Sequence, residues 1–162
     1  MENTNTNYSQ SVTAVVIRDG RVLLARHTYG GGAGKLIIPG GYVEYGEAPQ
    51  AAVIREYEEE TGVLVKPGAI IGIRFNAHDW YVAFRAEYVS GEARSDGDEN
   101  SEVLWVDVKE ALEREDVPEL TKKLIVCAMA EGDGFVQLPY ESAHHAPFSL
   151  YGISEEKPKK DE

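Results

Sequence analysis

Basic residues are scarce in this chain: 16 Lys and Arg stand against 28 Asp and Glu, a formal net charge of -12 over 162 residues. That shortage argues against generic nucleic-acid or anionic-membrane partners, which need clustered positive charge. Cysteine is nearly absent too. Cys127 stands alone, so an intramolecular disulfide and an all-cysteine metal site are excluded. It falls in an apolar helical run, where a buried, inert thiol is expected. No apolar run approaches the roughly 18 residues of a membrane span. The opening residues, MENTNTNYSQS, show no basic region followed by an apolar segment, so no signal peptide is visible and a cytoplasmic location is expected.

What remains is a chain of ordinary apolar content, 43%, long enough for one domain with its own core. Residues 1–10 read as a flexible lead-in, 11–152 as a single domain, and 153–162, which include EEKPKKDE, as a disordered tail. Val12 to Ile17 and Arg21 to Arg26 read as strands joined by an Asp19-Gly20 turn. The loop HTYGGGAGK follows, its triple glycine too flexible for regular structure, and Leu36 to Ile38 runs extended into Pro39. A helix is predicted from Glu47 or Ala48 to Thr61, with Pro49 in its first turn and Gly62 as its C-cap. Ala69 to Phe75 and Trp80 to Tyr88 read as paired strands, then an acidic loop from Ser90 to Glu99 leads to a strand over Val103 to Val106. Val108 to Glu113 and Pro118 to Ala130 read as helices, the second packing Leu120, Leu124, Ile125 and Cys127 inward. The apolar 131–152 segment is expected to fold back on the domain or on a second copy. Strands and helices mixed this way predict an α/β (α+β) layered domain.

The chemistry concentrates between Pro39 and Val63. Four glutamates, Glu56, Glu58, Glu59 and Glu60, crowd into five positions, and like charges this close repel unless something positive offsets them. On a helix, Glu56, Glu59 and Glu60 share an arc of about 100°, with Glu58 turned away. Three convergent carboxylates suit Mg²⁺ or Mn²⁺, which prefer oxygen ligands. Such a run is also common as a plain solvated face. Val53, Ile54, Tyr57 and Thr61 would fix the opposite side against a sheet, and Gly40 and Gly41 could bring a backbone carbonyl close to the same ion.

The stretch resembles the signature of the Nudix hydrolases, whose fixed positions fall on Gly41, Glu47, Arg55, Glu56, Glu59, Glu60 and Gly62, with Val63 as the closing apolar residue. Tyr57 departs from the usual aliphatic residue, a matter of packing. The resemblance implies an α/β/α sandwich with a mixed sheet and a metal-dependent pyrophosphohydrolase acting on a nucleoside diphosphate derivative. Such a substrate could be a nucleotide sugar or ADP-ribose-like compound, a dinucleoside polyphosphate or a nucleoside triphosphate. It further implies Mg²⁺ (or Mn²⁺) held by Glu56, Glu59, Glu60 and the carbonyl of Gly40, with Arg55 orienting the glutamates and Glu47 pairing with Arg55. For the base that activates water, Glu59 comes first, with Glu99 and Glu102 as acids outside the signature. A catalytically silent nucleotide sensor on the same fold is the alternative, and diphosphate isomerisation a lesser one.

Weaker signals divide. Gly30 to Lys35 fails as a phosphate-binding P-loop at both ends, so a loop at the substrate mouth is the better expectation. Asp96, Asp98 and Asn100 imitate the start of a calcium loop but lack its glycine. His144 and His145 are adjacent and diverge in either regular structure, which disfavours a shared metal. Arg26 is a candidate phosphate contact; Tyr29, Trp80 and Tyr81 are candidate stacking partners for a base. The family's subgroup markers are weak here: Asp79 replaces the proline of ADP-ribose pyrophosphatases, while Tyr81 matches a tyrosine of dinucleoside polyphosphate hydrolases. The partners expected are therefore a small-molecule nucleoside diphosphate and, through the tail, a possible homodimer.

Overall fold

Alternation of apolar residues organises the molecule, as a computed structural model describing residues 9–76, 78–139 and 150–152 shows. The strand β1 (Ser9–Arg18) sits at the centre of a seven-stranded mixed sheet. Its Val12, Ala14 and Val16 enter one core, and Val15 enters another on the opposite face. This is the period-two geometry of a strand covered on both sides. Around it lie β2 (Arg21–His27), β3 (Leu36–Ile37), β4 (Gly40–Tyr42), β5 (Leu64–Phe75), β6 (Asp79–Ser90) and β7 (Asn100–Asp107). The main path runs β3-β2-β1-β6-β5, with β4 paired to β1 and β7 to β2. Among the described strands, β1 and β6 alone run parallel, from Ser9 against Asp79 to Val16 against Ala86.

Helices close both faces. α1 (Pro49–Thr61) buries Ala52, Val53 and Tyr57 against Val12, Ala14, Val16, Leu23 and Phe84. α2 (Val108–Glu113) and α3 (Glu119–Met129) bury Ala111, Leu124 and Ile125 against Val15, Val22, Leu24 and Ala83. The result is the expected α/β/α layering with a mixed sheet. Tyr57, larger than its position in the signature usually holds, is fully buried and its hydroxyl donates to the carbonyl of Ala14. Helix α1 starts at Pro49, where a missing N–H costs nothing, and ends on Gly62 in the left-handed region at φ 73°.

Several boundaries differ from expectation, each for a physical reason. Ser9 and Gln10, expected to belong to a flexible lead-in, are part of β1 and pair with Asp79 and Trp80. The triple glycine closes a single 3₁₀ turn over Gly30–Gly32. The strand β5 begins five residues early, because its outer edge is mostly unpaired and therefore tolerates Pro67. Leu120 keeps more than a third of its surface exposed and Thr121 takes the buried place on α3. Cys127 is half-buried. The apolar tail does fold back where it is described: Phe135 exchanges backbone hydrogen bonds with Ile70, and β8 (Val136–Leu138) pairs with β9 (Leu150–Gly152). Tyr151 then meets Phe84 edge-on at 5.7 Å. His144, His145 and the 153–162 tail lie outside the described residues.

Replacing Tyr57 by Phe removes the only side-chain bond between α1 and the β1 backbone among the described residues. Urea unfolding should show the variant less stable by about 1–2 kcal/mol, with an unchanged m-value.

Candidate metal and diphosphate site

Two glycines let the helix approach the sheet. A Cβ on Gly41 would lie 2.4–2.6 Å from the carboxylate of Glu56, and one on Gly40 would lie 2.2 Å from the carbonyl oxygen of Val12. At Gly40 the obstacle is backbone, so no other residue type fits; at Gly41 a side chain would have to push the Glu56 carboxylate from its place. β4 therefore wedges between β1 and α1, and brings its backbone against the acidic face. Gly40 N–H donates to Glu60 Oε2 at 3.2 Å.

Arg55 gathers the neighbouring acids. Its Nε and Nη2 donate to the two oxygens of Glu47, at 2.8 and 2.9 Å, in a bidentate pair. Nη1 reaches Glu56 Oε1 at 2.9 Å and Glu59 Oε2 at 3.3 Å, and Nη2 also reaches the carbonyl of Tyr42 at 3.1 Å. The contact holds the Glu47 carboxyl below its ordinary range. Glu56 goes the other way: burial pushes its carboxyl up, against the pull of Arg55.

Glu60 is only 3% exposed. Burial, and then the neighbouring charge of Glu56, push its carboxyl up to about 9. A third acid arrives from the far side. Carboxylate oxygens of Glu56, Glu60 and Glu99 lie within 4.8 Å of one another, a grouping able to hold a metal ion. Glu99 is carried by the loop between β6 and β7, whose end is tied down by the buried Asn100: its Nδ2 donates to the carbonyl of Glu60 at 2.8 Å. Thr28 N–H and hydroxyl both bond the Glu99 carbonyl, at 3.1 Å each. Asp96, which imitated a calcium ligand, turns the loop instead, its Oδ1 accepting from the N–H groups of Asp98 and Asn100.

The predicted residues thus separate. Glu56, Glu60 and the backbone of Gly40 come together, joined by Glu99. Glu59, predicted to share their face, lies outside the cluster with its side chain 60% exposed, held toward Arg55. Arg26 and Glu102 stand directly opposite each other on β2 and β7 and pair at 2.9 Å, so each is consumed by the other. Arg26 also bonds Asp116 and the carbonyl of Gly34. Neither lines the cleft beside the cluster.

That cleft, about 410 Å³, runs from Gly40, Gly41 and Tyr42 between the 27–32 segment, the Arg74–Asp79–Tyr81 wall and α3. Tyr29 lines it, more than half exposed and stacked on His27 at 5.5 Å. Tyr81 lines it as well, but its hydroxyl is bonded to Thr13 and burial pushes its pKa up to about 12. Trp80 points elsewhere, edge-on to Phe75 at 5.2 Å. Sequence reasoning missed Asn100 as an anchor and Arg74 as a wall residue. Neither stands in a motif.

Comparison with known proteins identifies the domain. A family model described as NUDIX domain matches residues 7–125. The chain is 29% identical over 104 residues to an ADP-ribose pyrophosphatase of Methanocaldococcus jannaschii, covering 60% of this chain and 61% of that protein. It is 35% identical over 109 residues to an NAD-capped RNA hydrolase NudC of Photobacterium profundum, covering 63% of this chain and 39% of that one. The matched region therefore spans less than two thirds of either relative. Among solved structures, the MutT protein of Methanosarcina mazei Go1 superposes with a TM-score of 0.63 at 29% identity, over 75% of this chain and 93% of that chain.

The elevated Glu60 carboxyl sets the pH dependence of the metal-free protein. Its ordinary value is 4.5, so between 4.5 and about 9 the folded state holds a proton that the unfolded state has released. Stability is full below that window and declines as pH rises through it. Melting in chelator should accordingly drop from pH 5 to 9 in the parent, and by clearly less in Glu60→Gln. Parallel profiles would refute the assignment.

Proposed function

Given that the chain belongs to the Nudix family, we propose that it is a metal-dependent pyrophosphohydrolase that cleaves the diphosphate linkage of a small nucleoside diphosphate derivative. The observation that supports this reading best is the convergence of Glu56, Glu60 and Glu99 beside a glycine-walled cleft, with Arg55 fixing the helix side of the group.

The residues fit a divalent cation. The donors are all oxygens, as Mg²⁺ and Mn²⁺ prefer, and a side chain at Gly41 would displace the Glu56 carboxylate from them. A carboxyl raised as far as that of Glu60 is neutral at pH 7 when alone and gains most from a neighbouring positive charge. In our reading Glu56 and Glu60, with the carbonyl of Gly40, hold the ion. When bound there, it would offset the diphosphate's charge and make a water more acidic.

The chain supplies the rest. Tyr29 offers an exposed ring on which a base can stack. Glu99, the exposed member of the acidic group, takes the proton of the attacking water as its oxygen bonds to phosphorus. The anhydride P–O bond breaks and the second phosphate departs with the electron pair. Glu99 is preferred to Glu59 as the base because its carboxylate lies within the cluster, and to Glu102 because Arg26 already occupies that carboxylate. Glu59, outside the cluster and held toward Arg55, would add negative charge near the ion without joining the convergent carboxylates. A net charge of -12 supports a small substrate over a polyanionic one.

A panel of nucleoside diphosphate derivatives and triphosphates, with Mg²⁺ or Mn²⁺ and products identified by mass, should yield a nucleoside monophosphate. Tight binding without any product would convert the reading to that of a nucleotide sensor. The two acids separate kinetically. Glu99→Gln should lower kcat by about 10²–10⁴-fold with metal affinity retained, whereas Glu59→Gln should raise the metal concentration needed for half-activity. Titration of the protein with Mg²⁺ at pH 7.5 should also release protons, seen as a heat that changes with the ionisation enthalpy of the buffer. A buffer-independent heat would remove Glu60 from the ligand set.

A further inference from the structure

The cleft wall opposite the acidic cluster contains a single Lys or Arg among its described lining residues, Arg74. The other arginines near the site are spent: Arg55 on four acceptor groups, Arg26 on Glu102, Asp116 and Gly34. Arg74 is spent on one side only. Its Nη1 and Nη2 face the two carboxylate oxygens of Asp79, at 3.0 and 3.2 Å, and Asp79 is steadied by the hydroxyl of Ser11 at 2.7 Å. Its guanidinium carbon stands 5.2 Å from the centre of the Tyr81 ring. The Nε–H is buried and has no hydrogen-bond partner among the described residues.

A buried, charged donor left unpaired is costly, and such a group in a cleft wall calls for a partner from outside the chain. A guanidinium held end-on by one carboxylate keeps its side edge, the Nε–H and one N–H of a terminal nitrogen, as a parallel fork. That fork matches two acceptor atoms set side by side in one plane, and rejects an edge that carries a donor at either place. We propose that Arg74, oriented by Asp79 and Tyr81, is the residue that reads the substrate beyond its scissile diphosphate, by binding a paired-acceptor edge. Two sources present that chemistry: the O6/N7 edge of a guanine base and two oxygens of an outer phosphate. Adenine presents a donor beside N7 and does not. The inference rests on the pyrophosphohydrolase reading for where the diphosphate sits, and assigns specificity that the signature residues leave open.

The test uses the full chain with Mg²⁺ and four probes blocked at every anhydride, the α,β-methylene diphosphates and the α,β:β,γ-bismethylene triphosphates of guanosine and adenosine. Binding is measured by calorimetry for the parent, Arg74→Lys and Arg74→Gln, with thermal melting to verify folding. Arg74→Lys retains the charge and loses the fork. If the fork reads the base, the lysine variant loses about 10- to 100-fold in affinity for both guanosine probes relative to the adenosine ones. If it reads the outer phosphate, the same loss follows the triphosphates whatever the base. Equal affinities of parent and folded Arg74→Lys for all four probes overturn the inference, as does failure of the parent to bind any of them. Turnover of the ordinary nucleotides, run in parallel, isolates the other claim. Arg74-dependent binding without hydrolysis sinks the enzymatic reading alone; hydrolysis indifferent to Arg74→Lys sinks this inference alone.

Discussion

One guanidinium makes the acidic helix tenable. Arg55 spreads its donors over Glu47, Glu56, Glu59 and the carbonyl of Tyr42, so one side chain ties the approach loop, β4 and two turns of α1. A lysine has the charge but not the planar fork, and could not grip Glu47 with two parallel bonds while reaching two other carboxylates. Its side chain is 23% exposed, enough enclosure for these bonds to be screened less than surface pairs. The repulsion implied by four glutamates in five positions is thereby redistributed. Glu58 faces water, Glu59 and Glu56 share the arginine, and Glu60 is left buried with no cation beside it among the described residues.

Glu60 is where structure and chemistry meet most directly. It sits under Gly40, on a wedge that exists only because two consecutive glycines carry no side chain, and it accepts one backbone N–H at 3.2 Å. One weak bond is little solvation for a carboxylate that is almost fully enclosed. The site is thus built at the expense of the empty fold, a trade seen wherever ionisable groups are buried for use. The glycine wedge and the buried acid form one device, since the same close approach that shuts out water also brings the backbone to the acids.

What was legible in the sequence is what local rules govern. Pro49 and Gly62 bracket α1, the apolar periodicity names Val53 and Tyr57 as its buried side, and the resemblance to the family signature implies the pairing of Arg55 with Glu47. The strand β4 was not legible, because Gly40-Gly41-Tyr42 has no alternation and earns its place through β1 alone. The start of β5 was hidden by Pro67 and Gly68, which read as breakers until the edge position explains them. Long-range pairings escaped for a similar reason. Glu99 joins Glu56 and Glu60 only because Asn100 anchors to Glu60, 40 residues away, and Arg26 meets Glu102 only through the register of β2 with β7. A helical wheel placed Glu59 with its neighbours by angle, and could not know that Arg55 would hold it aside.

The parallel pairing of β1 with β6 has a temporal consequence. Val12 and Val82, partners in register, are separated by 70 residues of chain. A parallel contact of that span is slow to close, because the loop entropy is spent before the pairing returns anything. β1 is also the strand on which β4 lies, so the glycine wedge gains a finished foundation only after β6 has been delivered. On a ribosome, α1 emerges after β1 to β4 but well before β6, with its acids exposed and Phe84 not yet in place to complete the core on its apolar side. The glutamate run then keeps the nascent helix charged and soluble, a service to the growing chain that precedes any service to a substrate.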